Sequence, residues 1–219
     1  FITYVLDMGP NLISYVGTDG AEIGEALPDD IEDHITGIIS EGIATLCKKG
    51  SYYGSLSSFA PGSGYLFITD GIGHDFSYPE PVQTGLPREL DKSLLRNIPT
   101  GYSYNQSHAQ AFYFIEKIPL IKDNQWILAY NEGTLVGARQ WTGTNTDIPA
   151  MGTDGTDFTY GYMEDGIIPE FKLLRDGKLI DLEAKMPIPE WHQNSLITIP
   201  VLIITIPEDY ILNKIYPNP

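Results

Sequence analysis

Apolar positions along this chain come in short bursts separated by turn residues, a spacing that predicts strands more often than helices. Residues 3–6 and 11–16 are β-branched apolar runs divided by Gly9-Pro10, the pattern of strand, turn and strand, and Gly17-Thr18-Asp19-Gly20 closes the second. Residues 21–27 predict two helical turns, with Asp19 as N-cap and Glu22 and Glu25 near the positive end of the dipole. Ile31 and Ile35, four apart, extend one apolar face into a second short helix beyond Pro28. Residues 38–39, 43–47, 52–56 and 65–68 read as strands, with Lys48-Lys49-Gly50 as a turn.

Residues 71–97 change character. Gly71, Gly73, Pro79, Pro81, Gly85 and Pro87 punctuate them, only 90–95 suggests a helical turn, and the stretch reads as a linker or a loosely packed crossing. Beyond it, strands are expected at 111–115, 126–130, 134–141, 171–174, 179–182 and 196–206, spaced roughly 8 to 12 residues apart as in an antiparallel sandwich. Within 126–171, two strands meet at an Asn131-Glu132-Gly133 turn, and a long Gly/Thr/Asp-rich loop follows. The last run is apolar almost throughout and carries Pro200, which cannot donate to a ladder and marks a bulge, an edge or a change of sheet. Its Ile197, Ile199, Val201 and Ile203 offer an edge for strand addition, with domain core as the competing reading.

The expected fold is therefore mainly β: a small α/β N-terminal module followed by an antiparallel β-sandwich module. The boundaries fall at 1–72 for the sheet-plus-helix module, 73–97 for the linker, 98–207 for the sandwich and 208–219 for a C-terminal tail.

Composition narrows the setting. In 219 residues, 29 acidic against 13 basic side chains leave a net charge of −16, which disfavours nucleic acid and anionic membranes as partners. The 14 Tyr, 22 Gly and 16 Pro suit a turn-rich β protein rather than a disordered one. A single cysteine, Cys47, forms no internal disulfide and reads as a small buried hydrophobe. No run reaches the about 18 apolar residues of a membrane span. The chain opens on Phe1 with no signal-peptide pattern, so the expectation is a mature chain or an excised part of a longer one.

Several motifs carry a resemblance. Asn11-Leu-Ile-Ser-Tyr15, Ile38-Ile-Ser-Glu-Gly-Ile-Ala44, Tyr53-Gly-Ser-Leu56 and Pro61-Gly-Ser-Gly-Tyr65 resemble a module of secreted, multi-domain proteins of Bacteroidetes-like bacteria, with Pro10, Tyr53 and Leu66 where that module commonly has Trp. In order, Tyr104-Asn-Gln-Ser107, Gln110-Ala-Phe-Tyr-Phe114, Val136-Gly-Ala-Arg-Gln-Trp141, Asp147-Ile-Pro-Ala-Met-Gly152, Asp154-Gly155, Gly161-Tyr162 and Ile168-Pro-Glu-Phe-Lys-Leu173 resemble a β-module of the same kind of protein. The terminus, Ile215-Tyr-Pro-Asn-Pro219, resembles the start of a sorting domain recognised by the type IX secretion system. The resemblance implies export across the outer membrane of a Gram-negative bacterium, followed by surface attachment or release, and it assigns no catalytic role.

Candidate chemistry is sparse. Asp147, Asp154 and Asp157, with Glu164 or Asp165 nearby, could supply oxygen ligands to calcium, although Thr-Asp-Gly is equally ordinary turn chemistry and the spacing is not that of an EF-hand. Arg139, a cation in an acidic chain, reads as a structural clamp that bridges to Asp147 or stacks on Trp141, with a ligand contact as the alternative. Tyr52, Tyr53, Trp126, Trp141, Tyr160, Tyr162 and Trp191 form the pool from which a glycan platform would be drawn, with core packing as the alternative. His34, His74, His108 and His192 are scattered, and neither an HExxH nor a G-x-S-x-G motif occurs. The expected function is a non-catalytic, secreted or cell-surface structural or adhesive protein. The alternatives are a self-assembling filament subunit and a carbohydrate-binding accessory module. The partners would be neighbouring modules, copies of the chain itself or cell-surface glycans.

Overall fold

Strand β8 (Gln110–Ile115) sets the architecture. All six of its residues are buried, because both of its faces are covered. Ala111, Tyr113 and Ile115 point into one apolar cluster, while Phe112 and Phe114 point into another. Alternation along a strand sends successive side chains to opposite faces, so an unbroken apolar run requires a layer on each side. Full burial of Phe112 and Phe114 contributes about 1.5–3 kcal/mol each.

The computed structural model describes residues 2–71, 73–78 and 97–205. It is mainly β, and β8 forms the centre of a three-stranded middle sheet, between β11 (Thr146–Met151) and β14 (Leu196–Ile199). On the Phe112 side lies an N-terminal sheet in the order β2 (Gly9–Ser14), β6 (Gly64–Thr69), β3 (Ile35–Ser40), β4 (Ile43–Lys48) and β5 (Ser51–Gly54). Its Ile39, Ala44 and Leu46 meet the two phenylalanines. On the Tyr113 side lies an outer sheet in the order β10 (Thr134–Gln140), β9 (Trp126–Asn131), β12 (Glu170–Arg175), β13 (Lys178–Ala184) and β15 (Leu202–Ile204). Its Ile127, Ala129, Val136, Phe171 and Leu173 complete that core.

The far faces are covered too. Tyr15, Phe59, Tyr65, Phe67 and Phe76 pack with α1 (Ile23–Ala26) and α2 (Asp29–Glu32) against the N-terminal sheet. Ile98, Tyr102 and Tyr104 lie over Trp126, Leu128 and Tyr130 of the outer sheet. Among the described residues every named strand pair is antiparallel except β8 with β14, which is parallel. No described helix is long and apolar enough to cross a membrane.

Several elements differ from the sequence expectation, each for a local reason. Gly9 and Pro10 lie inside β2 rather than in a turn; β2 is an edge strand, where a missing N–H costs the ladder nothing. Glu22, not Asp19, precedes α1, because the chain around it is held by the Glu22–Ser58 bridge and the Phe59 N–H to Ala21 O bond. Ile35 begins β3, yet it still buries with Ile31 in one cluster. β7 (His74–Phe76) pairs with β1 (Tyr4–Leu6) inside the stretch read as a linker, anchored by buried Phe76 and Tyr78. The last apolar run, by contrast, changes sheet at Pro200 as one reading of that proline expected: β14 borders the middle sheet and β15 borders the outer one. Residues 79–96, with the helical turn expected at 90–95, and the tail from 206 to 219 lie outside the described residues.

The β9–β10 hairpin closes as its sequence suggests. Glu132 and Gly133 both take positive φ, +46° and +86°, the type I′ geometry whose twist matches the strands it joins.

Candidate functional site

Two clusters fall on the residues that the sequence singled out. The first is a buried ionic seam where a strand of the outer sheet and one of the middle sheet meet the N-terminal sheet. Strand β10 places Arg139, and β11 places Asp147, on adjoining strands, each only 2% exposed. Arg139 Nε donates to Asp147 O at 2.9 Å, and Nη2 donates to Asp147 Oδ2 at 3.1 Å and to Gly42 O at 2.7 Å. Ser55 Oγ donates to Asp147 Oδ2 at 2.6 Å. Beside this pair, Gln110 bonds the same N-terminal turn, accepting from Gly42 N and donating to Ser40 O. Burial pushes the Asp147 carboxyl up, against the opposing pull of Arg139 and Ser55.

The bridge to Asp147 is thus present, while Trp141 packs into the core instead of under the guanidinium. A fully enclosed pair meets no solvent or substrate, so its chemistry is that of a fastener.

The second cluster is the loop after β11. Asp154 Oδ1 accepts from Thr156 N at 3.0 Å, from Thr156 Oγ1 at 2.7 Å and from Thr159 Oγ1 at 2.6 Å. Thr159 is 1% exposed and anchors a single 3-10 turn, Asp157–Thr159. Two asparagines hold the same loop from outside: Asn105 Nδ2 donates to Phe158 O at 2.8 Å, and Asn131 Nδ2 donates to Gly161 O at 3.0 Å. On either side of the buried threonine, Phe158 and Tyr160 stand 77% and 88% exposed. Large aromatics cost solvation when exposed, and here the backbone beneath them is fixed by side chains from three separate segments.

The three accepted bonds hold the Asp154 carboxyl down at about 2, against an ordinary value of 3.8. A depressed carboxyl contributes order that is fully present above its unfolded value and lost as pH falls through its folded one. The loop should therefore keep constant amide-exchange protection from neutral pH down to 3.8 and lose it as pH falls through about 2. Loss of protection already at pH 5 would contradict this role for Asp154.

The three aspartates expected to share calcium are not brought together. Asp147 faces Arg139 inside the seam, Asp154 faces its own threonines, and Asp157 is exposed at the start of the turn. No group of three or more His, Cys, Asp and Glu side chains among the described residues is placed to hold a metal. Glu164 is exposed, and Asp165 pairs with His192 at 2.7 Å on the surface. Of the aromatic pool, Trp126, Trp141, Tyr162 and Trp191 are core, Tyr52 is half-buried, and Tyr53 and Tyr160 reach solvent. Ile197 and Ile199 lie on β14, Ile203 on β15 and Val201 between them.

Sequence reasoning missed Phe158 and the stacking of His34 on His74, whose ring centroids are 3.5 Å apart. The available signal for Phe158 was the alternation Thr156-Asp157-Phe158-Thr159-Tyr160, hydroxyl and acid anchors between aromatics. No family model, no curated protein and no solved structure matches the chain.

Proposed function

We propose that this protein is a non-catalytic, secreted or cell-surface module with a structural and adhesive role, which touches its partner through Phe158 and Tyr160. The observation that carries the reading is the pre-set pair of exposed aromatics on a loop fixed by Asp154, Asn105 and Asn131. Rigid aromatic anchors contribute contact area at little entropic cost, which is what a recognition surface needs. The layered β body behind them supports the structural part of the role, and the motif resemblance supports the location.

In the cells that make the protein, antibody should label it on intact cells or in the medium. Phe158→Ala/Tyr160→Ala should lower adherence at unchanged abundance and with a thermal midpoint near that of the parent, since exposed substitutions usually change stability by less than about 0.5 kcal/mol. Unchanged adherence, or label confined to the cytosolic fraction, would overturn the reading. The filament alternative rests on β14 and β15 as edge strands, and the double variant leaves both intact. Assembly that persists while adherence falls separates the two.

A further inference from the structure

We propose that the loop carrying Phe158 and Tyr160 takes an arginine-bearing, positively charged segment of a partner polypeptide, with guanidinium groups lying on the two exposed rings. This deepens the adhesive reading and rests on it.

The first argument is charge. The chain carries a net −16, and no lysine or arginine occurs between Arg139 and Lys172. That stretch holds exposed Asp157 and Glu164, Asp165 paired with His192, and half-buried Asp154 on the loop itself. Exposed Glu132 sits in the β9–β10 turn next to Asn131, which bonds the loop at Gly161. An aromatic face in a negative field attracts a cation twice over, through the ring quadrupole and through the acidic charge of its own segment.

The second argument is what the loop has left to offer. A neutral saccharide needs donors and acceptors beside the ring on which it stacks. Yet Asn105 Nδ2 is bonded to Phe158 O, Asn131 Nδ2 to Gly161 O and Tyr162 O, and Asp154 Oδ1 to Thr156 and Thr159. With these amide donors and Asp154 Oδ1 committed to the loop itself, the ring faces and carboxylate oxygens that only accept, such as those of exposed Asp157, remain for a ligand, a set that favours a cationic donor over a neutral saccharide. Arginine fits both, because its planar guanidinium stacks on a ring while still pairing with a carboxylate, whereas a lysine ammonium acts as a compact point charge.

The test compares labelled nona-arginine and nona-lysine peptides, equal in charge, at physiological ionic strength, alongside a panel of neutral oligosaccharides. The protein should bind nona-arginine about three- to tenfold more tightly than nona-lysine. Phe158→Ala/Tyr160→Ala keeps the formal charge of −16, so it should retain charge-driven binding and lose the preference for arginine. A wild-type protein with no preference, or a double variant that keeps it, overturns the proposal, and ring-dependent binding of a neutral oligosaccharide reassigns the loop to glycans. If the double variant lowers adherence while arginine and lysine peptides bind alike, the adhesive reading stands and the cationic partner falls. If adherence is unchanged, both fall.

Discussion

Arg139→Ala is expected to lower the free energy of unfolding by about 3–5 kcal/mol, the usual loss when one partner of a buried ion pair is removed. Native domains have only about 5–15 kcal/mol in total, so much of the protein would unfold at modest urea. The loss has three parts: Asp147 remains buried with Ser55 as its side-chain donor, Gly42 O loses its donor, and the large space filled by a 2% exposed side chain is emptied. Asp147 already titrates above its ordinary value of 3.8, because burial outweighs the pull of Arg139. A carboxyl raised on folding contributes most below its unfolded value, and that contribution is lost as pH rises through its folded one. Removing the arginine raises the carboxyl further, so the deficit of the variant should be larger at pH 7 than at pH 5. Urea titrations of both proteins at the two pH values give the answer. A loss below about 1 kcal/mol at pH 7, the worth of an exposed pair, would mean that the seam is not a fastener.

Gly137→Ala should be nearly as damaging, at about 3 kcal/mol, the upper part of the usual cost of overpacking. A β carbon at Gly137 would lie 1.7 Å from Pro149 O, a backbone atom with no rotamer to escape into. Strands β10 and β11 would have to separate, and these are the strands that carry Arg139 and Asp147. The expected fall in thermal midpoint is roughly 6–12 °C. Gly137→Ala and Arg139→Ala should then be less than additive, since each disturbs the same contact. Strict additivity would show that β10 and β11 tolerate the wider spacing without parting the ion pair.

The mainly β class and most strand positions were legible from local pattern. Residues 111–115 and 126–130 are apolar runs too short for helices, and the Asn131-Glu132-Gly133 turn fixes its own hairpin. β11 was not legible, because Asp147, Pro149 and the following Gly152 look like loop chemistry. Position accounts for two of the three: β11 is an edge strand and accepts Pro149, and its aspartate is neutralised by Arg139. Nor could periodicity show that β8 and β14 run parallel or that Gly42 meets Arg139, contacts between segments far apart in sequence. In the candidate site, the bridge from Arg139 to Asp147 was readable from charge alone. The aromatic display was not, since exposure of Phe158 depends on the burial of its neighbour Thr159.

Strand β8 also bears on the life of the chain before it folds. Gln110-Ala-Phe-Tyr-Phe-Ile115 is a six-residue window without charge, glycine or proline, the composition that self-associates when unprotected. The native protein hides both of its faces under other sheets and both of its edges under β11 and β14. Those covers come from residues before and after it in the chain, so β8 is shielded only once distant segments have come together. A long interval between synthesis and folding therefore leaves this protein reliant on whatever keeps nascent chains apart.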